Sequence, residues 1–81
     1  MKSRFGPQPA LEVMRAERWT GKAVSRKTGV DYAHLMRCLH GILIPSDRVR
    51  IGLCGLLDRR PEELFSHAAL HAVSHSQRYS T

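Results

Sequence analysis

From residue 20 to residue 48 the chain sets out Thr20, Lys22, Arg26, Lys27, Tyr32, Ala33, His34, Met36, Arg37, His40 and Arg48. Most of these are cations or hydrogen-bonding groups. Lysine and arginine meet phosphate oxygens, and arginine's flat fork also matches the O6 and N7 edge of guanine. That is binding chemistry, not bond-making chemistry. The carboxylates of the chain stand at helix starts, where capping accounts for them. No Ser-His-Asp arrangement, phosphate-cradling glycine loop or metal-ligand spacing accompanies the cations. No catalytic residue is therefore expected, and an enzyme is the least favoured class.

His67, His71 and His75 recur four residues apart. Two histidines at that spacing on a helix can chelate a metal. No acidic or cysteine ligand lies close in sequence, so a polar helix face or a weak pH response is the preferred reading, with no metal and no cofactor. Cys38 and Cys54 form no Cys-x-x-Cys pair, so they read as buried free thiols.

Composition points the same way. The chain has 81 residues, which argues for one domain with a thin core and little room for an enclosing cleft. Thirteen lysines and arginines against seven acids give +6, and the sequence pI is about 10.2. This is the electrostatic footprint of a nucleic-acid binder. There is no apolar run long enough to span a membrane, and MKSRFGPQP lacks the apolar core of a signal peptide. A reducing, bacterial-type cytoplasm near the nucleoid is the expected setting, with no membrane and no small-molecule substrate.

Short helices must position these groups. Residues 1–8 carry Lys2, Arg4, Gly6 and Pro7 and read as a flexible basic arm, from which Lys2 and Arg4 can reach a minor groove. Pro9 opens a first helix whose apolar stripe is Leu11, Val13, Met14 and Ala16, up to Trp19. Thr20 caps a second helix that Gly29 stops. Asp31 caps a third, running to His40, with Gly41 at its end. Ile42, Leu43 and Ile44 form a connector cut short by Pro45. Ser46 caps a fourth helix, with Val49, Leu53, Leu56 and Leu57 at helical spacing and two glycines, Gly52 and Gly55, inside it. Pro61 opens a fifth, with Leu64, Phe65, Ala68, Ala69, Ala72 and Val73 on its apolar side. Residues 74–81 read as a loose polar tail, leaving residues 9–73 as the domain. No strand-like alternation is present, so the fold class is all-α, a compact bundle of about five short helices.

The second and third helices meet the demands of a helix-turn-helix. Gly29 supplies the turn, Ser25 the small residue where the helices approach, and Val30 the plug between them. Leu35 and Leu39 face inward from the third helix. Residues 19–65 thus resemble the DNA-binding domain of the phage repressor and Cro type, the XRE-type or lambda repressor-like family. The resemblance rests on Trp19-Thr20, Ser25, Gly29-Val30, Gly41, Pro45-Ser46 and Glu62-Glu63-Leu64-Phe65, in order and without a gap, over 47 of the 81 residues. The chain departs from the family in having Gly21 where a glutamine is common, and Asp47 and Arg50 where apolar residues are usual.

The resemblance implies a sequence-specific transcription regulator of duplex DNA, Cro-like in length and repressor-like in type, from a phage or mobile element. It implies that the third helix lies in the major groove, with Tyr32, Ala33, His34, Met36 and Arg37 turned to the bases. Arg37 is the foremost candidate, against guanine. Thr20, Lys22, Arg26, Lys27, His40 and Arg48 would meet phosphates. A homodimer on a two-fold operator is the family default, with Phe65, Ala69 and Val73 as one candidate surface. Two other readings stay open on the same fold: an antitoxin-like or adaptor module that holds a protein through the residues from Ser66 onward, and an excisionase-like factor that bends DNA.

Overall fold

The computed structural model describes residues 3–79, and side chains over residues 3–73. The described residues form six helices and no strand: α1 Ala10–Ala16, α2 Gly21–Thr28, α3 Tyr32–Leu39, α4 Asp47–Leu57, α5 Pro61–Leu64 and α6 His67–Tyr79. None is long and apolar enough to cross a membrane.

Local chemistry explains most boundaries. The Thr20 hydroxyl accepts from the Ala23 N–H at 3.1 Å, and an Asp31 carboxylate oxygen accepts from the His34 N–H at 3.1 Å. Each satisfies one of the donors a helix start leaves free. Gly29 ends α2 in left-handed backbone, φ 76°, and its N–H donates to Ser25 O. The Ser25 hydroxyl then donates to Val30 O at 2.5 Å, which pins the corner between α2 and α3. α1 stops earlier than its apolar stripe suggests. Arg18 turns left-handed, φ 61°, the Trp19 N–H closes back on Met14 O at 2.8 Å, and Ala16 is exposed.

The core is continuous. Val24, Val30, Leu35, Leu39, Val49, Leu53, Leu57, Leu64 and Phe65 are buried, with Ala10 and Met14 closing one side. Full burial of a leucine side chain contributes about 1.5–3 kcal/mol, so these few residues carry most of the cohesion of so small a chain. Gly52 has its purpose here. A Cβ on it would come within 3.0 Å of the Thr28 side chain, so the bare position lets α2 lie close on α4. Ile51 is 70% exposed on the outer side of α4.

Three expectations need correction. The single helix expected after Pro61 is two. Phe65 is extended, φ −129° and ψ 145°, and fully packed in the core, and the Ser66 hydroxyl accepts from the Ala69 N–H at 3.2 Å to start α6. Ala68, expected on the apolar side, is exposed for that reason. The tail expected to be loose is helical through Tyr79.

The third correction concerns the arm. Residues 3–8 are tied down as a strap across the C-terminal end of α3. The Arg4 and Phe5 N–H groups donate to Gly41 O at 2.8 and 3.0 Å, and the Gln8 N–H donates to Leu39 O at 2.8 Å. The Ser3 hydroxyl donates to His40 O at 2.7 Å. Gln8 is itself buried: its Nε2 donates to Gly6 O at 2.9 Å and its Oε1 accepts from the Ser66 N–H at 2.8 Å. The strap thus supplies a partner for the final carbonyl of α3, Leu39 O, and for His40 O and Gly41 O just beyond it. Lys2 lies outside the described residues. Arg4 is exposed, its guanidinium 5.1 Å from the Phe5 ring centre.

Candidate nucleic-acid interface

The α3 sequence YAHLMRCL divides its helix into three strips. Leu35, Cys38 and Leu39 are fully buried. At about 100° per residue, the crest opposite them falls on Ala33 and Arg37, and both are exposed. Among the described residues, neither side chain has a hydrogen-bond or ion-pair partner.

The shoulders beside the crest are engaged. On one side Tyr32 and Met36 lean over the start of α2. A Cβ built on Gly21 would stand 2.7 Å from Met36 Sδ and 3.1 Å from Tyr32 Cε1, so the two side chains fill the space this glycine leaves. Tyr32 keeps 43% of its surface exposed, and Lys22 Nζ lies 5.8 Å from its ring centre, within the range of a cation–π contact. On the other side His34 turns toward α4, its Nε2 3.1 Å from Ser46 Oγ and 3.8 Å from Cys38 Sγ. Ser46 therefore does not cap α4 with its side chain as expected; its hydroxyl faces the histidine ring instead. Burial pushes the Cys38 thiol up from its ordinary value, offset in part by a hydrogen bond from the Ser46 backbone.

These contacts join the first turns of three helices. Lys22 and Tyr32 connect α2 to α3, and a shallow depression lined by Val30, Asp31, His34, Ser46, Asp47 and Arg48 connects α3 to α4. Charge is unevenly spread. Residues 18–50 hold Arg18, Lys22, Arg26, Lys27, Arg37, Arg48 and Arg50 against Asp31 and Asp47, whereas residues 51–73 hold Arg59 and Arg60 against Asp58, Glu62 and Glu63. Asp47 is paired with Arg50, Arg59 with Glu17 at 3.1 Å, and Arg15 with Glu12 at 3.5 Å. Among the described residues, Lys22, Arg26, Lys27, Arg37 and Arg48 form no ion pair.

The residues singled out in the sequence fall into groups. Thr20, Lys22, Tyr32, Ala33, Arg37 and Arg48 are exposed on or beside this surface. Arg26, four residues after Lys22, shares its strip of α2, while Lys27 is turned about 140° away from Lys22 by the helical pitch. Met36 and His34, expected among the base readers, are half-buried and engaged with neighbouring elements. His40 sits at the far end of α3, beside the strap and α1, in a depression it shares with Pro7, Gln8, Pro9, Leu11, Glu12 and Arg15. It is not brought together with Lys22 and Tyr32. Phe65 and Ala69 are buried, and Val73 nearly so, which leaves them little surface for a dimer contact. His67 and His71 are exposed with rings stacked 6.3 Å apart, and the side chain of His75 lies outside the described residues. Among the described residues no three histidine, cysteine or acidic side chains gather as a metal site.

Sequence reading missed Gly21 as a part of the surface. Its signal was an absent side chain at the first position of α2. It also missed the hydroxyl of Ser46, which it assigned to a cap. The chain matches no protein-family model, no curated protein and no solved structure.

Proposed function

We propose that the chain is a sequence-reading DNA-binding protein of the phage repressor and Cro type, a transcription regulator that lays α3 in the major groove. In this reading α2 and α3, hinged at Gly29, act as a helix-turn-helix. Arg37 makes a bidentate contact to guanine and Ala33 meets a thymine methyl. Lys22, Arg26 and Arg48 take phosphates from the flanks, aided by the positive ends of α2 and α4. No bond-making step belongs to this function, and the protein acts in the cytoplasm. Two copies on a two-fold operator, with half-sites about 34 Å apart, complete the proposal.

One observation carries it: a helix whose crest, Ala33 and Arg37, is exposed and unpartnered among the described residues and is bordered by the cationic first turns of two neighbours. A solvated surface of scattered charge gives no reason for such a crest to be braced on both shoulders.

The test is selection of bound sequences from random duplex DNA, repeated with Arg37→Ala and over a range of salt. A reader gives a motif that relaxes at one position in the variant, a loss of about 1–3 kcal/mol there. Affinity should fall steeply with salt, since each neutralised phosphate releases counterions. No motif and no salt slope would refute the proposal and leave the adaptor reading.

A further inference from the structure

The start of α2 holds a departure that the surface depends on. Gly21 is the first residue of α2, a position where alanine is the better helix former. No left-handed backbone calls for glycine there; the glycines of positive φ are Gly6, Gly29 and Gly41. What the bare position provides is room, which Met36 Sδ and Tyr32 Cε1 occupy. Tyr32 is thereby drawn back from the crest and held beside Lys22.

We infer that Gly21 is a specificity-determining position: it sets how far Tyr32 projects, and so which base step the N-terminal end of α3 admits. This rests on the DNA-reading function proposed above. With Gly21 bare, the small side chain of Ala33 and the long one of Arg37 stand proud, and Tyr32 touches the groove only with its exposed edge. A Cβ at residue 21 displaces Met36 first, since 2.7 Å to sulfur is closer than real contacts permit, and it crowds Tyr32 at 3.1 Å. Both side chains then move toward the DNA side, beside Ala33. The methionine end is flexible, so the change costs the fold little.

The test is Gly21→Ala in the full chain. Its helical circular dichroism should match wild type, and its thermal midpoint should be equal or higher. In duplex selection it should bind the wild-type motif about 5- to 150-fold more weakly, the cost of one wrong base pair, and select a motif changed at one or two adjacent base pairs. Tyr32→Ala, which adds no bulk, should relax the motif at those same base pairs, and it keeps the test intact if Gly21→Ala folds poorly. A wild-type motif that Gly21→Ala keeps at equal affinity overturns this inference and leaves the DNA reading standing. A uniform loss over all duplexes also overturns it, since that signals a lost phosphate contact. If wild type selects no motif, the reading itself fails and takes the inference with it.

Discussion

Gly29 and Gly41 offer a matched pair of perturbations. Both are left-handed, φ 76° and 77°, and each closes a helix. They differ in what surrounds them. A Cβ on Gly29 would meet nothing within 4 Å, whereas one on Gly41 would strike the backbone of Gly6 in the strap. Gly29→Ala therefore reads backbone strain alone. Left-handed alanine costs roughly 1–2 kcal/mol, offset by about 0.4–1 kcal/mol from a less flexible unfolded chain. A net loss of about 1 kcal/mol is expected. Gly41→Ala carries the same term and must also push the strap off. The bonds at stake are Arg4 and Phe5 N–H to Gly41 O, and Ser3 Oγ to His40 O. At about 0.5–1.5 kcal/mol each, the loss of two or three brings the total to about 2–5.5 kcal/mol.

Urea unfolding followed by circular dichroism measures both. Typical stability per residue puts a chain of this length at roughly 4–12 kcal/mol, so Gly29→Ala should fold, and Gly41→Ala should fold with a lower urea midpoint over most of that range. Trypsin adds a local reading: cleavage after Arg4 should quicken in Gly41→Ala and stay at the wild-type rate in Gly29→Ala. Losses equal to within about 0.5 kcal/mol, or unchanged cleavage in Gly41→Ala, would show that the strap carries no energy, and the account of residues 3–8 given above would be wrong.

Thr20→Ala removes a side-chain cap and should cost about 1 kcal/mol in urea, and a loss below the error of the fit would contradict the cap. Leu35→Ala empties a fully buried site and should cost about 2–5 kcal/mol; a cost near that of Thr20→Ala would mean that the core closes elsewhere. Burial pushes the Cys38 thiol above its ordinary value of 9.0. The folded state then holds a proton that the unfolded state releases, so this contribution to stability is full below pH 9 and is lost as pH rises past it. The fall in urea midpoint from pH 8 to pH 10.5 should be steeper in wild type than in Cys38→Ala, and equal slopes would refute the assignment.

Side-chain chemistry made much of this fold legible beforehand. The caps at Thr20 and Asp31, the turn at Gly29, and the inward face of Leu35, Cys38 and Leu39 follow from residue type and spacing, and the structure has them where those features put them. The strap was illegible because most of it is backbone bonded to backbone, across a contact between two glycines that carry no side-chain signal. The break between α5 and α6 was hidden by a run of residues apolar enough for one helix; only Ser66, placed to cap, marked it. On the surface, Ala33 and Arg37 could be read from periodicity. The commitments of Met36 and His34 could not, since each depends on a neighbour distant in sequence, Gly21 for one and Ser46 for the other.

That distance bears on how eight residues could serve in the proposed reading role at all. A helix as short as α3 is unstable alone, because nucleation outweighs the few hydrogen bonds it gains. Three separate parts of the chain hold it here. Its first turn is wedged between Gly21 and Ser46, its inner face is sealed by the core, and its last carbonyl, Leu39 O, is taken by the strap, which also holds His40 O and Gly41 O just past its end. The strap in turn ends at Gln8, whose side chain holds the start of α6. The pose of the crest is therefore a property of the whole fold. If α3 reads DNA as proposed, a change in the strap should weaken binding through a surface it never touches, by letting α3 fray from its C-terminal end, whereas a change at Arg37 should alter the selected sequence and leave the pose intact.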